Sequence, residues 1–398
     1  MRVGLLTREY PPEVYGGAGV HVEYLARQLA KHVDVEVHCF GGPRDDPLVA
    51  RSYQPWDEIA GSSPHIAALR TLSVDVAMAA ALDGVDLVHS HTWYANLGGH
   101  LASMTYRVPH VVTTHSLEPL RPWKSEQLGG GYAVSKFCER TAIEAADAVI
   151  AVSEGMRADV LSCYPAVDPA RVRVVHNGVD TDEYAPDPRT EVIERLGLDA
   201  GRPLVVFVGR IARQKGIAHL LDAAERFDPE AQLLLCAGSP DTPDIGAEVE
   251  QHVSALRAAG RRVAWVREML PRPELVQVLG NATAFVCPSI YEPFGLVNVE
   301  AMACGAAVVA SRVGGIPEIV VEGETGFLVD LAPSGDEYGT PADPVRYAAD
   351  IADRVNALVR DPARAVAMGE AGRERVLAEF SWPAIAKQTA DVYRSVLG

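Results

Sequence analysis

Short apolar, β-branched runs alternate with longer amphipathic stretches from one end of the chain to the other, and no other feature limits the fold as tightly. Val3–Leu6, Val35–Cys39, Leu87–His91, His110–Thr114, Ala148–Val152 and Val172–His176 make a first series of such runs. Helical stretches between successive strands exclude hairpins and favour parallel crossovers, with strands buried between two helical layers. The rhythm breaks at Asn177-Gly178-Val179-Asp180 and Tyr184-Ala185-Pro186-Asp187-Pro188, which is turn-rich and reads as a linker. A second series follows: Leu204–Val208, Gln232–Cys236, Val263–Val266, Ala284–Cys287, Ala307–Ala310 and Gly326–Val329. The expectation is an α/β chain of two Rossmann-like doubly wound domains, residues 1–182 and 190–378, facing a cleft. Ile385, Ala386, Ala390, Val392, Val396 and Leu397 recur at helical spacing, so the chain should close on a helix.

Composition narrows the partners. Lys and Arg number 36 against 53 Asp and Glu, a net charge of −17 that opposes general binding to nucleic acid or an anionic membrane. No apolar run approaches the roughly 18 residues of a bilayer span, and Arg8-Glu9 interrupts the first apolar run too early for a signal-peptide core. Cys39, Cys138, Cys163, Cys236, Cys287 and Cys304 are scattered without a C-x-x-C pair and read as buried free thiols in a reducing compartment. A cytoplasmic protein without nucleic-acid or membrane partners is expected, and a homodimer stays open.

Against this acidic background three clusters stand out. Gly16-Gly17-Ala18-Gly19 follows the first strand and Thr7-Arg8-Glu9, and precedes an amphipathic helix from about Val20. Glycines let the backbone approach a ligand and a helix start offers N–H groups to an anion, although a flexible turn would need the same residues. Arg210 and Lys215, five residues apart after the first strand of the second series, can flank a diphosphate as a fork and a point charge, or sit in a solvated basic loop. Two such cations should repel each other when no anion is bound. In Pro288–Gly305, Glu292 stands in a Pro-containing turn, Phe294, Gly295 and Leu296 open a helix, and Glu300 lies about two turns along it. The amides suit a phosphate or sugar edge, one carboxylate sugar hydroxyls and the other a ribose. A dipole partner and an exposed helix residue are the plainer alternative.

His89 and His91 alternate on one strand and so share a face, as a metal pair would. No H-E-x-x-H and no cysteine cluster accompanies them, so no metal is expected, and His91 is placed at a strand end near an acceptor. His115, also at a strand end, reads by itself as a satisfied polar residue.

Together these residues resemble the retaining GT-B glycosyltransferases of family 4, which use nucleotide-sugar donors. The likeness spans the chain: Gly16-Gly17, His115, Arg210 with Lys215, Glu292 and Glu300 with seven residues between them, and the terminal helix. It implies an acceptor-binding first domain, with residues 380–398 packed back on it, and a nucleotide-sugar-binding second domain. In that family Gly16, Gly17, Arg210 and Lys215 would meet the donor diphosphate. Glu292 would hold the donor sugar and Glu300 the ribose, with the amides of Phe294, Gly295 and Leu296 on the donor's phosphate or sugar edge, and His115 would lie over the sugar 6-hydroxyl. His115, Arg210, Lys215 and Glu292 form the implied catalytic group. The stretches Thr7–Val22 and Ser116–Lys124 resemble more narrowly the actinobacterial glycogen synthase subgroup, which includes enzymes making α-maltose 1-phosphate from ADP-glucose. Larger glycogen and starch synthases carry Lys where this chain has Val14 and Asp where it has Thr92, which weighs against polymer elongation.

The implied reaction moves glucose from ADP-glucose to glucose 1-phosphate with retention, needing no cofactor and no metal. Its alternatives are elongation of an α-glucan and use of another nucleotide sugar. Glu9, His91, Arg121, Trp123 and Lys124 are the acceptor candidates. Arg121 and Lys124 are close enough in sequence to grip one phosphate, and Trp123 offers a flat face to a sugar ring, unless the segment is merely a basic turn with a packing Trp. A nucleotide-sugar epimerase or a sensor would share the fold, but the spacing of Glu292 and Glu300 and the presence of both cations favour transfer.

Overall fold

The computed structural model describes residues 1–398 apart from Tyr15, Ser62 and Glu337, and apart from the side chains of Pro64 and Ser239. Tyr15, within the stretch carrying the narrower resemblance, therefore lies outside the described residues. Among those described, thirteen strands form two wholly parallel sheets. The first contains β1 (Arg2–Thr7), β2 (Asp34–Phe40), β3 (Val49–Tyr53), β4 (Leu87–His91), β5 (His110–Thr114), β6 (Ala148–Ala151) and β7 (Val172–Val174), in the order β3-β2-β1-β4-β5-β6-β7. The second contains β8 (Leu204–Ile211), β9 (Gln232–Pro240), β10 (Arg262–Val266), β11 (Ala284–Cys287), β12 (Val308–Ser311) and β13 (Gly326–Val329), in the order β10-β9-β8-β11-β12-β13.

Twelve strands coincide with the apolar runs of the sequence. β3 does not: Val49-Ala50-Arg51-Ser52-Tyr53 is the edge strand beyond β2 and buries only Tyr53, so it needs no apolar run. The central strands β4 and β5, by contrast, are buried at every residue.

The chain divides into two units, Met1–Gly178 with Trp382–Gly398, and Val179–Ser381, so the divisions fall at 178 and 381 rather than 182 and 380. In the first unit, Leu5, Leu87 and Val111 of the sheet meet Leu25 and Leu29 of helix Gly17–Leu29, and Trp382, Ile385 and Tyr393 of helix Trp382–Leu397. The Trp382 ring stacks on Tyr24 with centroids 5.8 Å apart, and a Cβ on Gly178 would stand 2.7 Å from that indole. On the opposite face, Leu6 and Val88 pack with Val74, Met78 and Leu82. The second unit buries Val205, Phe207, Leu235 and Val286 against Leu221, Val249, Ile351 and Val355. All six cysteines are free, and every one but Cys163 is buried. Among the described residues no helix is long and apolar enough to cross a membrane.

In each sheet the strand order turns back on itself, β1 lying between β2 and β4, and β8 between β9 and β11. Right-handed crossovers then send the connections from the two neighbouring strands to opposite faces, leaving a gap at their carboxyl ends. Because Trp382 fills the first unit's core, Trp382→Ala should destabilise that unit by about 3–5 kcal/mol. The drop would be read as a lower urea midpoint for the transition that reports on it.

Candidate active site

In the second unit the gap lies between β8 and β11, where Val205 and Val206 pair with Ala284 and Phe285. Arg210 sits where the β8–β9 register slips between Gly209 and Ile211, an irregularity that re-aims a side chain. Its Nη1 donates to Asp241 Oδ1 at 2.5 Å, from the residue just past β9. Lys215 ends a single turn, Arg213–Lys215, and Gly216 follows with φ +63°, where a Cβ would stand 1.9 Å from the Pro288 carbonyl oxygen. Only glycine lets these two loops touch, and the Ile290 N–H then donates to the Gln214 carbonyl at 2.9 Å.

That approach brings Lys215 Nζ to 2.7 Å from Glu292 Oε2, and Ser289 Oγ donates to the same oxygen at 3.0 Å. The Glu292 carbonyl accepts from Gly315 N–H at 3.0 Å, and a Cβ on Gly314, at φ +51°, would stand 1.9 Å from that carbonyl oxygen. Glu292 is thus held by side chain and backbone alike. The repulsion expected between Arg210 and Lys215 is replaced by two ion pairs, Asp241 neutralising the first and Glu292 the second.

Helix Leu296–Ala303 starts at Gly295, whose φ is +105°, with no side chain capping its first N–H groups. The Phe294 ring is buried edge-on against Phe380, centroids 6.0 Å apart. Glu300 is only 6% exposed, so it is not a solvated helix residue. Burial pushes its carboxyl up to about 7, against a hydrogen bond from Tyr184 and the charge of Arg272. Tyr184 is itself raised by burial and by Glu300.

In the first unit the gap lies between β1 and β4, where Leu6 pairs with Ser90, so Thr7 and His91 end neighbouring strands. Glu9 Oε2 accepts the Gly16 N–H at 2.7 Å and holds the glycine loop. A Cβ on Gly17 would meet nothing within 4 Å and one on Gly16 only Glu9 at 3.9 Å, whereas one on Gly19 would stand 2.8 Å from Glu9 Cβ. Packing therefore explains Gly19, while the Cα positions of Gly16 and Gly17 face open space, the Gly16 N–H being held by Glu9.

His89 spends both ring nitrogens, Nδ1 on the Tyr393 hydroxyl at 2.6 Å and Nε2 on Thr113 Oγ1 at 2.7 Å, so it pairs with His91 on no metal. His91 Nδ1 instead lies 3.0 Å from His115 Nε2. His21, one turn into helix Gly17–Leu29, joins them with its ring 4.6 Å from that of His115 and its Nδ1 2.8 Å from Asn177 Oδ1. Burial pushes His21 down to about 4 and His89, His91 and His115 well below the usual histidine range, so all four are neutral.

The segment expected to receive the acceptor is a 3-10 turn, Glu118–Leu120, followed by helix Lys124–Leu128. Trp123 is 5% exposed, which corrects the expectation of an open face for a sugar ring: the indole packs inward. Arg121 Nη1 donates to Ser116 Oγ at 2.9 Å and lies 3.6 Å from the Glu118 carboxylate, and Lys124 Nζ donates to Gln127 Oε1 at 2.6 Å. Buried Glu118 anchors the segment, accepting from Ser135 Oγ at 2.6 Å and donating its N–H to Glu139. Burial and the Glu118 charge raise the Glu139 carboxyl.

Sequence reasoning passed over His21, Asp241, Ser289 and Tyr184. Asp241 directly follows a central strand and His21 stands one turn past the glycine loop, both positions that a doubly wound sheet aims at its switch point. Tyr184 lay in a stretch read as linker.

Residues 15–183 match the model of Glycosyltransferase Family 4, and residues 188–375 that of Glycosyl transferases group 1. The chain is 58% identical to the Alpha-maltose-1-phosphate synthase of Mycolicibacterium smegmatis and 54% identical to that of Mycobacterium tuberculosis, each match covering the whole of both chains. Among solved structures, sucrose-phosphate synthase from Thermosynechococcus elongatus superposes with a TM-score of 0.78 at 28% identity, covering 99% of this chain and 98% of the other.

Glu300 holds a proton in the folded chain between its ordinary value of 4.5 and about 7. The stability this gives is complete below the lower value and lost as pH rises through the upper, a difference of about 3 kcal/mol. Glu300→Gln, which can still accept from Tyr184, should therefore raise the thermal midpoint at pH 8, and the gain should shrink towards nothing by pH 5.

Proposed function

The chain belongs to the glycosyltransferases of family 4 and group 1, and we propose that within them it moves glucose from ADP-glucose to the 4-hydroxyl of glucose 1-phosphate, releasing ADP and giving α-maltose 1-phosphate with retention. The observation that carries this reading is the 58% identity, over the whole of both chains, to a protein named for that product. The arrangement around Glu292 supports it. Lys215 and Arg210, each now facing a carboxylate, are placed to exchange that partner for the departing diphosphate, so charge developing on the leaving oxygen meets fixed cations.

As the anomeric carbon–oxygen bond breaks, the acceptor hydroxyl forms the new bond on the same face, and its proton passes to the leaving phosphate. Glu292, fixed by Ser289 and Gly315, orients the donor sugar. Glu300 accepts from the ribose hydroxyls in its ionised form. The open space beside Gly16 and Gly17 supports a role for this loop at the diphosphate, and His115 is assigned to the sugar 6-hydroxyl by resemblance to the family. Arg121 and Lys124, both on the segment anchored by Glu118, take the acceptor phosphate, with Glu9 and His91 nearby on the acceptor side. No cofactor or metal enters this scheme.

A panel of nucleotide sugars, each with and without glucose 1-phosphate and read by mass spectrometry, tests the reading. A disaccharide phosphate should form from ADP-glucose only when glucose 1-phosphate is present. Faster elongation of maltooligosaccharides than use of glucose 1-phosphate would replace the small acceptor by a glucan. The double variant Arg121→Ala, Lys124→Ala should raise KM for glucose 1-phosphate roughly ten- to a hundredfold and leave any activity on neutral glucans nearly unchanged. Lys215→Ala should lower kcat on the order of a hundredfold or more. Glu300→Gln should weaken ADP binding in calorimetry, where Glu292→Gln should mainly slow turnover.

A further inference from the structure

We propose that His21, His91 and His115 form a binding site for a divalent cation of borderline softness, Zn²⁺ or Co²⁺, and that the bound cation inhibits glycosyl transfer. One nitrogen from each ring lies within 4.8 Å of the other two. The edge of a tetrahedral zinc site is about 3.3 Å, which follows from Zn–N bonds of about 2.05 Å. The His91 Nδ1 and His115 Nε2 pair stands at 3.0 Å, a little inside that edge, so the site forms when these two rings tilt out of their shared hydrogen bond to converge on one point and His21 turns inward to join them.

The chemistry of each ring suits ligation. His21 Nδ1 faces the Asn177 carbonyl oxygen at 2.8 Å, a contact that requires the proton on Nδ1 and leaves the lone pair on Nε2. That Nε2 is buried and has no hydrogen-bond partner among the described residues, and the same holds for His91 Nε2. An amide oxygen behind a histidine, with the free lone pair turned inward, is how metal-binding imidazoles are held. His89, fixed by Tyr393 and Thr113, sits with its ring centroid 4.2 Å from that of His91 and limits where that ring can turn.

Three imidazoles with no carboxylate among them favour Zn²⁺ or Co²⁺ over Mg²⁺ or Ca²⁺, and leave a fourth position for water. The N–H now shared by His91 and His115 can move to the second nitrogen of its own ring, so ligation needs no net loss of a proton. His21 and His91 are buried while His115 is half-buried, which gives the cation its way in. The inhibitory half of the proposal rests on the reading above in which His115 faces the donor sugar: a ring nitrogen committed to a cation is lost to a sugar hydroxyl.

The full-length chain, freed of metal, would be titrated with Co²⁺ and followed by visible absorption, and with Zn²⁺ and followed by calorimetry. The expected result is one cation per chain, with tetrahedral cobalt bands and no thiolate-to-cobalt charge-transfer band. His21→Gln should weaken Zn²⁺ at least tenfold, whereas Cys163→Ser, which removes the one cysteine that is not buried, should leave it unchanged. Absence of the cobalt bands, a thiolate band in their place, or unaltered affinity in His21→Gln would overturn the site. If His21→Gln does not fold, the wild-type cobalt spectrum decides. Transfer activity should fall in step with Zn²⁺ occupancy. Full activity at saturation would overturn the inhibitory half, while the site would stand on the spectrum and His115 would lose its assigned place against the donor.

Discussion

The reversal of strand order beside β1 and again beside β8 is the constraint on which the rest of the molecule depends. Parallel strands joined by right-handed crossovers can extend a sheet in one direction only until the chain returns to its starting strand and continues on the other side. At that point two neighbouring strands send their connections apart, and the space between cannot be filled by either. Arg210, Lys215 and Glu292 come to one place because β8 and β11 are those neighbours, although 77 residues separate the lysine from the glutamate. In the other unit, the same geometry sets Thr7, the glycine loop and His91 side by side.

Electrostatics then decides what such a gap can hold. A cation left alone in a half-buried site would be costly, and each of the two here has a carboxylate within hydrogen-bond distance. An anion arriving there would therefore exchange partners with groups already in position. The histidines of the first unit follow the opposite logic: burial keeps them neutral, and they are held by one another and by hydroxyl and amide partners.

Much of this was legible in the residues. Strands buried on both faces must be apolar throughout, which is why β4, β5 and β11 announce themselves, whereas β3, on an edge, satisfies its backbone without an apolar signature. Gly-rich turns and charged residues beside strand ends pointed to Arg210, Lys215 and Glu292. Partnership across the fold was not legible. Asp241 and Tyr184 are ordinary residues until the sheet places them against Arg210 and Glu300, and the inward packing of Trp123 depends on neighbours that no local pattern identifies.

The last helix carries a consequence for how the chain is made. Trp382, Ile385 and Tyr393 complete a core whose other walls come from the first strands, and Tyr393 also fixes His89. On a translating ribosome residues 1–178 emerge first, yet their core lacks those side chains until residues 382–393 have been made. The middle of the chain, Val179–Ser381, has all its own parts in hand sooner. The core of the first unit can therefore be completed only after the intervening unit, some two hundred residues, has been synthesised.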